Sequence, residues 1–332
     1  EELAVPIKFE QERLTWDWYR KKIKGQDFGV CKTEHESKFI DKQQLWYQVI
    51  NTLNFNKDEL YELVKPQIDE INLAKSHVSF FKHFIGTKTS NKVEDSMMLE
   101  LLNINDDISR TKWFTNYRRS RLQGIVKNLK AGKILIPNAD FCVLFGNPYE
   151  MLRASWGDKI ESSVLKDFEC YCTKFKDSEK LFGMRAPHIC TGNNALLTNT
   201  YCEVWKWFNL TDNILIINLW GKGAFLSPKW NGCDVDSDTA FIGNNPTILE
   251  KVKQVQDYLI PINDVPQKAK LYDFNNENMA KVDAKLANNL IGQICNLARD
   301  LQSLYWHLYN TGTQENKQKY LPMIYDDLCM FD

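Results

Sequence analysis

Asp234, Asp236 and Asp238 occupy alternate positions in the run Asn231-Gly232-Cys233-Asp234-Val235-Asp236-Ser237-Asp238. In an extended backbone, alternate side chains share a face, so this spacing would crowd three carboxylates onto one side. Each charge raises the cost of ionising the next, and a bound divalent cation relieves that cost. Hard oxygen donors favour Mg²⁺, Mn²⁺ or Ca²⁺ over zinc. Mg²⁺ usually keeps several waters and shares its other positions between carboxylates and substrate phosphates, so the pattern points to phosphate chemistry.

An acidic cluster at a turn is ordinarily a solvated loop, but the flanks here argue for one that is held. Trp230 precedes it, Thr239-Ala240-Phe241-Ile242 follows as a short apolar strand, and Asn244-Asn245-Pro246 opens a helix with Pro near its start. An EF-hand loop counted from Asp234 would need Gly and Glu where Thr239 and Asn245 stand, so that reading fails. A glycosyltransferase-type Asp-x-Asp site needs only Asp234 and Asp236. It stays open, leaving the third carboxylate unexplained.

The elements around the cluster read as α+β. Lys133–Ile136, Phe141–Phe145, Glu169–Phe175, Leu181–Met184, Ile214–Leu219 and Ala224–Leu226 are strand candidates, with turns at Pro137-Asn138 and Asn147-Pro148. So many short strands ending at the aspartates predict a small β-barrel with inserts. Helical spacing marks Gln11–Lys24 and the chain from Lys42. Further helices are expected from an Asn56 cap through Leu63 toward Ala74, over Val78–Ile85 and over Ser96–Leu102, with Thr87–Asp95 as a linker. Helical pattern resumes at Pro246, and 276–309 reads as one long helix or a broken pair. Residues 109–130 form the clearest amphipathic helix, stopped by Gly132. Its outer face carries Lys112, Arg118, Arg119, Arg121, Lys127 and Lys130, with Trp113 and Tyr117 available to stack on bases. A charged outer face is most often only solvated. This single-sign face makes phosphate contact a candidate role.

Composition bounds the class. The chain has 332 residues, 43% hydrophobic and 26% charged, with net charge −1. That is typical of a globular protein of roughly two domains, and any nucleic-acid surface must be local. No apolar run is long enough to span a bilayer, and no signal-peptide pattern opens the chain. The nine cysteines include no Cys-x-x-Cys pair, which removes support for zinc and predicts reduced thiols in a cytoplasmic chain. The opening Glu1-Glu2-Leu3 and the ending Met330-Phe331-Asp332 are read as those of a processed product or of a piece of something larger.

Upstream of the aspartates stands Gly183-Met184-Arg185-Ala186-Pro187-His188. An Arg-Ala-Pro turn, then a barrel, then Asp-x-Asp-x-Asp resembles the largest subunit of cellular RNA polymerases. It also resembles the RNA-silencing RNA-dependent RNA polymerases and a group of bacterial proteins with Asp-Phe-Asp-Ser-Asp at this place. Ser37-Lys38-Phe39 with Gln43, Gln44 and the helix Leu45–Leu53 is similar to the Lys-Phe element of the RNA-dependent branch. Gly146-Asn147-Pro148-Tyr149-Glu150 sits where that branch has a Gly-x-x-Asp-Glu turn, and Asn288–Ile294 resembles a Gly-containing helix after its catalytic barrel. The resemblance covers most of 30–310 but is specific in three short blocks. It departs at Ser237, where the families have Gly, and at Gly232, where the cellular enzyme has Asn.

The resemblance implies a double-psi β-barrel core flanked by helical segments. Residues 1–40 would end a first barrel, 41–131 form a helical connector, 132–245 form the second barrel with the Asp triad, and 246–332 form a C-terminal helical region. Asp234, Asp236 and Asp238 would hold catalytic Mg²⁺, with Mn²⁺ as the alternative ion. Arg185 would approach the ribose. Lys38, and secondarily Lys32, would face the triphosphate. His188 is expected to support the Arg185 turn. The implied partners are an RNA or DNA template, ribonucleoside triphosphates, and a larger polypeptide or partner chain supplying the first barrel. The implied activity is templated RNA synthesis. The rivals are a weakened or inactive nucleic-acid-binding remnant and, less favoured, a metal-dependent glycosyltransferase.

Overall fold

The computed structural model of the protein describes residues 20–21, 24–25, 41–86, 93–219, 226–258, 272–273, 275–287 and 290–329. Eight strands lie in this part: β1 (Lys42–Gln44), β2 (Leu135–Pro137), β3 (Ala139–Phe145), β4 (Glu169–Tyr171), β5 (Lys180–Arg185), β6 (Ala195–Asn199), β7 (Ile214–Ile217) and β8 (Thr239–Gly243). The last six close into a barrel in the order β3-β7-β4-β6-β5-β8. The β3–β7 and β4–β6 pairs are parallel, and the other four pairs are antiparallel. The fold class is α+β, and this barrel is consistent with the expected double-psi type.

Period-2 alternation builds the barrel wall. Cys142 and Leu144 of β3, Leu181 of β5, Ala195 and Leu197 of β6, Leu215 and Ile217 of β7, and Ala240 and Ile242 of β8 fill the interior. The intervening Phe182, Met184 and Phe241 face outward into a second core with Leu45, Val49, Ile248, Val252, Tyr305 and Trp306 of the surrounding helices. Trp230 is fully buried inside the barrel. Gly183 leaves room for it, since a Cβ there would lie 2.8 Å from Trp230 Cζ2 and 2.7 Å from Leu197 Cδ1.

Several expectations are corrected. Lys42–Gln44 is a strand rather than the start of helix, and it pairs antiparallel with β2. The predicted Lys133–Ile136 strand therefore belongs to this two-stranded sheet and not to the barrel. Pro137 lacks an N–H and Asn138 turns left-handed (φ 49°), which separates β2 from β3. The predicted Glu169–Phe175 strand stops at Tyr171, because the Cys172 N–H donates to Asn199 Oδ1 instead of a ladder partner. Leu226 opens a short helix, Leu226–Lys229, rather than a strand, and residues 224–225 lie outside the described residues. Asn147 is a helix cap, accepting from the Tyr149 and Glu150 N–H groups, and not a simple turn. The β6 strand went unread because its apolar content is little more than Leu196-Leu197 between polar residues.

The helices follow the predicted pattern more closely. Asn56 caps Lys57–Ser76 in a capping box with Glu59. With Val78–Gly86, Val93–Ile104 and Lys112–Lys130 this helix encloses a core of Phe81, Met98, Leu102, Phe114 and Leu122. The third of these starts at Val93, ahead of the expected Ser96. Asn245 caps Pro246–Val255. The 276–309 region is a broken pair, Asn276–Leu286 and Leu290–Thr311, followed by Gln314–Cys329. The predicted Gln11–Lys24 helix lies largely outside the described residues. No helix among the described residues is long and apolar enough to cross a membrane.

Candidate metal centre

The aspartates sit on the loop that joins Trp230 to β8. The loop is bent rather than extended, so the carboxylates do not meet by simple alternation. They meet because the chain folds back: the Asp234 N–H donates to Asp238 Oδ2 (3.1 Å) and the Asp236 N–H to Asp234 Oδ1 (3.4 Å). One oxygen from each of Asp234, Asp236 and Asp238 lies within 4.8 Å of the others. Among the described residues this is the one group of three or more Asp, Glu, His or Cys ligand atoms brought so close. Ser237 makes the bend with φ 100°, a conformation glycine adopts freely and Ser at a cost. The backbone at Ser237 is thus one that suits the Gly of the resembled motif.

The electrostatics suit a cation. Hydrogen bonding to Asp234, and then the Asp234 charge, raise the Asp236 carboxyl above the usual carboxylate range. Asp238 is paired with Arg185, whose Nη2 lies 2.7 Å from Asp238 Oδ2. Asp234 and Asp236 are exposed and have no ion-pair partner among the described residues. Three hard oxygen donors opposed by one guanidinium fit Mg²⁺ or Mn²⁺ by donor type and charge.

Arg185 ends β5 and reaches the loop directly. Its Nη1 donates to the carbonyl of Trp230 (2.9 Å), and the side chain is largely buried. The turn that follows is held by polar residues, of which sequence reasoning anticipated only His188. Asn193 is fully buried; its Oδ1 accepts from the Ile189 and Cys190 N–H groups, both at 2.9 Å. Its Nδ2 donates to Lys229 O (3.0 Å) and to Asn231 Oδ1 (2.6 Å). Asn231, left-handed at φ 56°, donates from Nδ2 to Pro187 O (3.0 Å). His188 Nε2 shares a hydrogen bond with Thr52 Oγ1 (2.7 Å), and burial pulls its imidazole down to about 3, so the ring is neutral near pH 7. Thr191 Oγ1 donates to Thr52 O (3.1 Å) and Asn194 Nδ2 to Thr52 Oγ1 (3.3 Å), tying the turn to the helix Tyr47–Thr52. The signal for these residues was the Asn/Thr-rich run Thr191–Asn194 after the Arg-Ala-Pro turn.

The remaining predicted site residues divide. Lys38 and Lys32 lie outside the described residues. Lys112 and Arg119 are exposed on the helix Lys112–Lys130, and Arg118 lies over the Phe114 ring. Arg121 is turned inward and pairs with Asp95, which is 1% exposed, so it is not a free phosphate contact. Tyr117 also donates to Asp95 and is half-buried, which removes it as an open stacking platform, whereas Trp113 is exposed. A buried carboxylate needs its partners close, and that need overrode the amphipathic pattern at 117 and 121.

No protein-family profile matches the chain, and no curated protein matches it. Among solved structures it is similar to the RNA dependent RNA polymerase QDE-1 from Thielavia terrestris. The likeness covers 88% of this chain at 12% identity and a TM-score of 0.50. The fold is polymerase-like. The chain spans about a third, 35%, of that polymerase's length. At this identity the likeness is one of fold.

Proposed function

We propose that the chain is the catalytic-barrel part of a nucleic-acid-templated RNA polymerase. It would act as a nucleotidyltransferase that joins ribonucleoside triphosphates through phosphodiester bonds. The observation that carries this reading is the convergence of Asp234, Asp236 and Asp238 beside Arg185 at one end of a closed barrel. The polymerase-like fold supports it.

In this reading the three aspartates hold Mg²⁺, or Mn²⁺. The bound ion would supply positive charge to a 3′-hydroxyl and to a pyrophosphate leaving group. Arg185, fixed by Asp238 and the Trp230 carbonyl, would approach the nucleotide sugar. Lys38 and, secondarily, Lys32 would act as point charges on the triphosphate. Lys112, Arg118 and Arg119, with Trp113, would line a path for an RNA or DNA strand. The first barrel would come from a larger polypeptide or a partner chain.

The test is incorporation of labelled ribonucleotides on RNA and DNA templates by the complete protein. Asp236→Ala should abolish Mg²⁺-dependent incorporation, and retained activity would refute the metal-site assignment. A second reading, a non-catalytic nucleic-acid-binding remnant, draws on Ser237, which sits where the backbone favours glycine (φ 100°). That reading requires weak or absent Mn²⁺ binding by the wild-type chain.

A further inference from the structure

We propose that Asn193 and Asn231 form a clasp that positions the aspartate loop against the Arg185 turn. This rests on the reading that the loop holds a divalent cation. The clasp itself has no contact with the carboxylates and would act through the backbone that carries them.

The loop is anchored at its two ends. At its far end the backbone is fixed by the ladder, since the Leu144 N–H donates to Asp238 O (2.8 Å), and by the Arg185 pair to Asp238. Asp234 and Asp236 are exposed, so their positions depend on the backbone that enters from Trp230. The Ser227 hydroxyl holds Cys233 O (2.9 Å) and the N–H groups of 231–233 bond Pro228 O and Ser227 O, while the clasp ties this entry across to the turn that carries Arg185. One buried amide, that of Asn193, accepts from the turn at 189–190 and donates to the loop entry at 229 and 231. Asn231 completes the ring by donating back to Pro187 O. The turn carrying Arg185 and the loop carrying the acids are therefore cross-linked through two neutral side chains. An amide can donate and accept at once and cannot ionise, so the cross-link adds no charge of its own next to a cation site. Groups held in place before a ligand arrives lose less freedom on binding it.

The test uses the chain as it stands, with Mn²⁺ alone as the probe. Asn231→Gly removes both side-chain bonds while keeping a residue at ease with φ 56°. Its Mn²⁺ affinity, by isothermal titration, should fall about tenfold or more, in line with outer-shell groups at metal sites. Saturating Mn²⁺ should restore the wild-type stoichiometry, and thermal unfolding should stay a single cooperative transition. Asn193→Ala should give a similar fall, and the double variant should bind no more weakly than the weaker single variant, since both act through one clasp. This second variant also decides the case if Asn231→Gly fails to fold cooperatively. Unchanged Mn²⁺ affinity in the folded variants would overturn the proposal while leaving the metal site standing. Absence of Mn²⁺ binding by the wild type would overturn the metal reading, and the clasp proposal with it.

Discussion

The aspartate loop and the basic helix both announced themselves by charge, and they turned out differently. In the loop the like charges converge, with Asp234, Asp236 and Asp238 within 4.8 Å and a single guanidinium against them. On the helix Lys112–Lys130 the like charges disperse: Lys112 and Arg119 point to solvent, while Arg121 leaves the face to neutralise buried Asp95. A run of one sign on a helix surface costs little and can be split between roles. A knot of one sign on a bent loop is costly unless something binds it, so it carries more functional information.

Three predictions sharpen this contrast. The largest separates the two arginines of the helix. Arg121→Ala strands a buried carboxylate and should lower unfolding stability by about 3 kcal/mol, whereas Arg119→Ala should change it by less than about 0.5 kcal/mol. Urea denaturation of both variants measures the difference, and equal midpoints would remove Arg121 from the interior. The second concerns the turn behind the loop. His188 is buried neutral, its imidazole lowered from 6.5 to about 3. The unfolded chain takes up that proton first as pH falls, so this contribution is intact above about pH 6.5 and drains away at about 1.4 kcal/mol per pH unit below it. His188→Gln should flatten the acid limb of the stability curve, and an unchanged limb would show that other groups set it. The smallest tests the strained bend. Ser237→Gly should hold or raise stability, by at most about 1 kcal/mol, because glycine tolerates the positive φ. A marked loss would mean that the Ser237 side chain makes a contact of its own.

What the sequence made legible follows the same divide. The strand Thr239–Ile242 and the Asn56 and Asn245 caps are local patterns, each within a few residues, and each forms where its pattern lies; the acids are equally local in sequence but converge on a bent loop and not by alternation. The clasp and the Thr52–His188 link are not local: Thr52 and His188 are 136 residues apart, and Asn193 and Asn231 are 38 apart. The Asn/Thr-rich run Thr191–Asn194 signals a polar turn, but residue type does not say which Asn is buried or which partners the fold brings to it. The pairing of Lys42–Gln44 with Leu135–Pro137 was hidden for the same reason. Tyr117 and Arg121 misled because an amphipathic pattern gives a side chain's face but not its partner.

If the three carboxylates together hold one divalent cation, titrating Mn²⁺ into the wild-type chain and into Asp236→Ala will show it. The wild type should show a single site whose affinity drops by more than about 100-fold in the variant, beyond what loss of a supporting group outside the ligands costs, with the unfolding transition preserved. Equal binding by the two chains, or none by the wild type, would contradict it.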